Sequence, residues 1–137
     1  MFKKGIQIIA FLENRPGRFT EFCEGLYERE VDVLAINLHA DSEVGILRMV
    51  VDDVKGARSF LKAEEIPYMQ TEVLLVEGPN KPGMAAGLGH KLTQADIDIE
   101  YTYFSGSAKD APALMVFKVK NLEVALTRLH KSSREYN

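Results

Sequence analysis

The sequence has no tryptophan, one cysteine, and no apolar run approaching the roughly 18 residues of a membrane-spanning helix. A lone Cys23 excludes an internal disulfide framework and fits a reducing, cytoplasmic compartment. Basic charge is also short: 17 Lys and Arg against 20 Asp and Glu leave a net charge of −3, against a broad nucleic-acid footprint or an anionic membrane surface. The three histidines, His39, His90 and His130, are scattered without the short spacings of a metal site. What remains is apolar enough, at 46%, to build a packed core.

Lys3 and Lys4 precede an apolar stretch, as in a secretory signal. However, Gln7 interrupts the stretch, and Glu13 and Arg15 follow with no small-residue cleavage site. The stretch therefore reads as a strand.

A repeat organises the chain. Asn14-Arg15-Pro16-Gly17 recurs 66 residues later as Asn80-Lys81-Pro82-Gly83. The same offset pairs Leu26 with Leu92, Val31 with Ile97 and Asp32 with Asp98. Beyond a hairpin two residues longer, Val54 pairs with Leu122, Ala57 with Ala125 and Leu61 with Leu129.

In the first half, Ile6–Leu12 reads as a strand, and Phe19, Phe22, Cys23, Leu26 and Tyr27 as one helical stripe. Strands over Val33–His39 and Ile46–Val51 follow, then a helix marked by Val54, Ala57, Phe60 and Leu61, capped by Asp53. Pro67 stops that helix, and Tyr68–Thr71 begins another extended segment. The order is β-α-β-β-α-β, a ferredoxin-like α+β unit with both helices on one face of an antiparallel sheet. The second half repeats it with Asn121 as the matching cap, then ends in the polar "SSREYN" without a last strand. Two units are expected, 1–71 and 72–137. An unclosed sheet edge in the second leaves two readings open: a strand from an oligomeric partner, or a frayed terminus over a blunted edge.

Asn-x-Pro-Gly between a strand and a helix has its own chemistry. Proline suits the first helical position and holds Arg15 or Lys81 extended. Glycine admits a ligand close to the backbone, and the helix N-terminus favours a carboxylate. The Asn side chain both donates and accepts, which suits an amine together with a carboxylate. A plain strand-to-helix turn would use the same residues.

The β-α-β-β-α-β order with "ENRPGRF" after the first strand resembles the ACT domain, a small-molecule-binding regulatory module, here as two tandem units covering the chain. The resemblance implies an amino-acid ligand at an interface between ACT units, contacting the loop after strand one, the start of the first helix and the start of strand two. It carries ligand contact onto Asn14 and Asn80 and onto Gly17 and Gly83; Arg15, Pro16, Lys81 and Pro82 of the same turns are expected in the site, as are Asp32 and Asp98, whose carboxylates can pair with a ligand ammonium. Serine-binding members have a second Asn eighteen residues after the first, where this chain has Asp32 and Asp98. Their His two residues before the turn is replaced by Leu12 and Gly78. A ligand other than serine, bulkier or more apolar, is at least as well accommodated, with Tyr101 or Tyr103 lining its pocket.

Catalysis finds no support. "GMAAGLGH" fails the dinucleotide glycine spacing at Leu92, no phosphate-cradling loop follows strand one, and no nucleophile–base pair stands out. The small residues of that stretch instead suit close packing of the helix on its sheet or on a neighbouring helix. No cofactor or metal is expected. The partners expected are a small-molecule ligand and either a homo-oligomer or an enzyme regulated in trans.

Overall fold

The computed structural model describes residues 2–135. In chain order the elements are β1 (Phe2–Glu13), α1 (Arg18–Glu28), β2 (Val33–Ala40), β3 (Val44–Val51) and α2 (Val54–Ala63). They continue with β4 (Tyr68–Pro79), α3 (Met84–Gln94), β5 (Ile99–Ser105), β6 (Pro112–Val119) and α4 (Leu122–Glu135). The chain divides into two compact units. One is Ile6–Thr71; the other runs from Glu72 onward and also takes in the residues up to Gly5.

In the first unit the strands lie in the order β2-β3-β1-β4. β3 is antiparallel to both neighbours, with Leu12 opposite Gly45 and Ile36 opposite Met49. Alternate residues of β1 and β3 (Ile8, Ala10, Leu12, Leu47, Met49, Val51) pack against Phe22 and Leu26 of α1 and Ala57, Phe60 and Leu61 of α2. The period-2 pattern of the strands and the helical stripes thus meet on one face. The stripe expected on α1 is narrower than its sequence spacing implied. Phe22 and Leu26 are buried, Cys23 is half-buried, and Phe19 and Tyr27 are exposed. Asp53 caps α2 as expected, its carboxylate accepting from the Gly56 amide at 2.9 Å.

The second unit repeats this. β6 pairs antiparallel with β4 and β5, and Leu74, Val76, Met115, Phe117 and Val119 pack on Leu88 and Leu92 of α3 and Ala125 and Leu129 of α4. Asn121 accepts from the Val124 amide at 3.2 Å, matching Asp53. Its sheet is closed by neither alternative the sequence left open. The first residues of β1 take the vacant place beside β4: Phe2 packs on the core of this unit, Lys3 pairs with Glu77 at 3.0 Å, and Lys4 pairs with Glu72 and Glu123. β1 and β4 are 12 residues each, and each contributes to both units: Phe2–Gly5 and Glu72–Pro79 belong to this one, Ile6–Glu13 and Tyr68–Thr71 to the first. The polar stretch expected after Lys131 continues α4 through Glu135; Tyr136 and Asn137 lie outside the described residues.

Candidate functional site

Each Asn-x-Pro-Gly tetrad leads into a β-turn, Arg15–Arg18 or Lys81–Met84, placed ahead of the helix. Arg18 donates its amide to the Arg15 carbonyl at 3.2 Å, and Gly17, at φ 86° and ψ −14°, occupies the third position of a type II turn with Pro16 before it. In the second copy Met84 bonds back to Lys81 at 3.1 Å and Gly83 sits at φ 88° and ψ −6°. This corrects the expectation that proline opens the helix. The helices begin at Arg18 and Met84, and Gly17 and Gly83 are their N-caps, their carbonyls taking the first helical bonds from Glu21 and Gly87. Positive φ explains the glycine. A Cβ at either position would meet nothing within 4 Å, so the backbone there lies open to a ligand.

The asparagines fasten these turns. Asn14 Nδ2 donates to the Ser42 carbonyl at 2.7 Å and its amide to the Glu43 carbonyl at 2.8 Å, tying the turn to the β2–β3 hairpin. Asn80 does the same to the β5–β6 hairpin, with Nδ2 3.3 Å from the Ala108 carbonyl and its amide 2.8 Å from that of Ala111. The side-chain amide nitrogen expected to meet a ligand is thus engaged within the unit. Its Oδ1 accepts no hydrogen bond among the described residues, so towards a ligand the group is an acceptor.

Charge distinguishes the two turns. In the first, Arg15 holds Glu21 through two nitrogens at 2.9 and 3.2 Å, and Arg18 holds Glu13 at 2.7 Å. The Arg15 hydrogen bonds keep the Glu21 carboxyl below the usual carboxylate range, and Glu21 in turn raises Arg15. Glu13 and Arg18 line a cavity of about 50 Å³ with Leu12, Asn14, Arg15, Phe19, Leu38, Ala40 and Gly45. That volume is one or two waters' worth, too little for a whole amino acid within one unit. At the matching positions the second copy has Pro79, Met84 and Gly87, and its Lys81 is exposed. Glu13, Arg18, Phe19 and Leu38 were not singled out as site residues from sequence. For Arg18 the signal was its place directly after the tetrad, which in the second copy falls to Met84.

Asp32, Asp98 and Tyr101 do not join the turns of their own units. Asn14 follows Glu13, which faces Val44, whereas Asp32 precedes Val33, which faces Val51. Asn14 lies beside Glu43 and Asp32 beside Asp52, so nine strand steps of about 3.3 Å put the two roughly 30 Å apart along the sheet. The second unit repeats this, with Pro79 opposite Pro112, Ile99 opposite Val119 and Tyr101 opposite Lys118. Each unit offers its turn at one end and its aspartate at the other.

Remaining groups point to no chemistry at the turns. Burial raises the Cys23 thiol. A Cβ at Gly87 or Gly89 would meet nothing within 4 Å, so the close packing expected of the small residues in α3 is not present among the described residues. Nor is any group of three or more His, Cys, Asp and Glu placed to hold a metal there. No described helix is long and apolar enough to cross a membrane.

Known proteins supply the remaining context. A family model described as an ACT domain pair matches residues 4–133. No curated protein matches in sequence. Among solved structures, the chain is similar to protein BT0572 from Bacteroides thetaiotaomicron, at 28% identity and a TM-score of 0.83 over 96% of this chain and 90% of that one. The ligand-free regulatory subunit of aspartate kinase from Thermus thermophilus shares the fold at 16% identity and a TM-score of 0.64, over 95% of each chain. A structure of aspartokinase alpha and beta subunits shares it at 16% identity and a TM-score of 0.62, over 98% of this chain and 96% of that one.

Proposed function

The chain belongs to the ACT domain pair family, and from that premise we propose that it is a non-catalytic, cytoplasmic regulatory protein that senses a free amino acid. Two Asn-clamped turns, each with glycine backbone open to solvent, are the observation that supports this most directly. On this reading the ligand carboxylate lies on the open backbone of Gly17 or Gly83 at the start of a helix, while Oδ1 of Asn14 or Asn80 accepts from its ammonium. Arg15, Pro16, Lys81 and Pro82 shape the turn around it. Asp32 or Asp98, with Tyr101, would face the ligand from a unit of a second copy, since within one unit they stand at the far end. Binding would then bias association.

Thermal unfolding with each of the twenty amino acids tests this, because a ligand bound only by the folded state raises its apparent stability. The expected outcome is a rise for one or a few of them, lost in Asn14→Ala or Asn80→Ala. No rise with any of them would reject the reading.

A second reading is a regulatory subunit acting on an enzyme in trans. β2 favours it: it closes the sheet order on its side and leaves Leu34 and Leu38 exposed. Co-purification of a specific metabolic enzyme with the tagged protein supports it, and a free protein with no bound partner counts against it.

A further inference from the structure

The two units also differ where β3 meets α2 and β6 meets α4. In the first unit the Asp52 carboxylate sits on the Asp32 amide at 2.8 Å, while Asp52 donates its own amide to the Asp32 carbonyl at 3.1 Å. The backbone half of this clasp is kept in the second unit, where the Lys120 amide donates to the Asp98 carbonyl at 3.3 Å. The side-chain half is reversed in charge, because lysine stands where Asp52 does. No carboxylate sits on the Asp98 amide among the described residues.

A second exchange lies on the helix that follows. Phe60 of the first unit packs edge-on to Phe22 with centroids 5.5 Å apart and with the Arg29 guanidinium 5.2 Å from its ring. Its counterpart is Arg128, which turns away to donate to the carbonyls of Ala95 and Asp96 at 3.1 and 2.9 Å. Here the surface carries an open cleft of about 480 Å³, a volume within the range that takes small molecules, lined by the exposed Asp96, Asp98, Lys120, Asn121 and Arg128 together with Ile97, Val124 and the buried Ala125. None of its carboxylate, ammonium or guanidinium groups is in an ion pair among the described residues.

We propose that this cleft binds a small amino-carboxylate. The ligand carboxylate takes the place on the Asp98 amide that the Asp52 side chain fills in the first unit, with the Lys120 ammonium beside it. The Asp96 and Asp98 carboxylates then face the ligand's ammonium. The first unit supplies its own carboxylate to this amide; the second leaves the place to one from outside. The site lies at the far end of its unit from Asn80 and does not require the turn.

The experiment is amide NMR of the whole chain, titrated with each of the twenty L-amino acids to about 10 mM, enough to saturate a millimolar site. At least one should move the Asp98 and Lys120 amides along a saturating curve, and the corresponding amine without its carboxylate should not. Lys120→Asp, which installs the first unit's own residue and so suits the fold, should abolish these shifts, while Asn80→Ala leaves them intact. If no amino acid moves these amides, if Lys120→Asp leaves the shifts unchanged, or if they vanish in Asn80→Ala, the assignment is wrong. Shifts at Asn80 and Gly83, with or without Asp98, that leave the Lys120 amide unmoved would support the turn reading and overturn this one.

Discussion

Asn14 Nδ2 lies 2.7 Å from the Ser42 carbonyl, and this bond joins the β1–α1 turn to the tip of the β2–β3 hairpin. Asn80 and Ala108 repeat the relationship at 3.3 Å across the same 28 residues. The asparagine is therefore a clamp before it is a ligand contact. Its removal should cost stability even without ligand, about 1 kcal/mol for the shorter Asn14 bond and less for Asn80. Urea unfolding of Asn14→Ala and Asn80→Ala, with the slope unchanged, checks this. The same variants then separate the clamp from binding, since a lost clamp lowers the midpoint and a lost contact removes the ligand's effect on it.

Glycines in one sequence pattern should answer oppositely to alanine. Gly17 and Gly83 hold φ near +87°, where an L side chain is strained whatever room it has. Alanine at either should destabilise by about 1–2 kcal/mol. Gly87, inside α3 and also with open space around it, should instead gain about 0.5–1 kcal/mol as alanine. Thermal midpoints of the three variants decide it; a uniform response would mean that the backbone conformation is not what selects glycine here.

These contrasts show how much was legible in the sequence. The duplicated element order and the helix caps Asp53 and Asn121 were readable, because apolar period and capping chemistry are local. The turn type was not: Pro-Gly fits both a helix start and a type II turn, and only the φ of Gly17 and the Arg18–Arg15 bond separate them. Closure of the second unit was hidden for a different reason. Phe2 and Lys4 read as a preface to the first strand, and no local property says that their partners stand 68 or more residues away. The Glu13–Arg18 pair was not legible because its second-copy counterparts, Pro79 and Met84, break the repeat.

Phe2 offers a direct test of that closure. Its ring packs on the core of the second unit, with Lys91 Nζ 5.9 Å from the centroid. Phe2→Ala should destabilise by about 1–3 kcal/mol, less than a fully buried Phe because the ring is only partly covered. Hydrogen exchange locates the loss. Amides of β6 and α4 should exchange faster while those of β2 and β3 keep their protection. The reverse pattern would place the first residues of β1 with the wrong unit.

The helix C-termini carry an unfavourable residue that can be improved. Glu30 and Asp96 adopt φ of 57° and 56° just after α1 and α3. Their amides bond to Tyr27 and Thr93, and the next residues, Val31 and Ile97, bond to Leu26 and Leu92. This is the Schellman pattern, whose left-handed position favours glycine. Glu30→Gly should therefore stabilise by about 0.5–1 kcal/mol, the relief of side-chain strain outweighing the added freedom of the unfolded chain. Asp96→Gly should act similarly on stability but also removes a carboxylate from the second-unit cleft, so comparing the two variants separates backbone relief from ligand chemistry.

Acid should loosen the first turn before the second. Hydrogen bonds from Arg15 lower the Glu21 carboxyl in the folded chain, and Arg18 adds to the attraction. A depressed carboxyl contributes stability that is present above its unfolded value, about 4.3, and disappears as pH falls through the lower folded value. The second copy has Gly87 in this place and Lys81 in place of Arg15, so it carries no such acid dependence. Carbon-detected NMR titration should find Glu21 protonating below an unpaired glutamate, and Arg15→Met should return it towards the ordinary value. Because both side chains are exposed, added salt should shrink the difference. A Glu21 that titrates normally in the intact protein would mean that the Arg15 bridge does not hold in solution, and that the first turn is as open to an incoming carboxylate as the second.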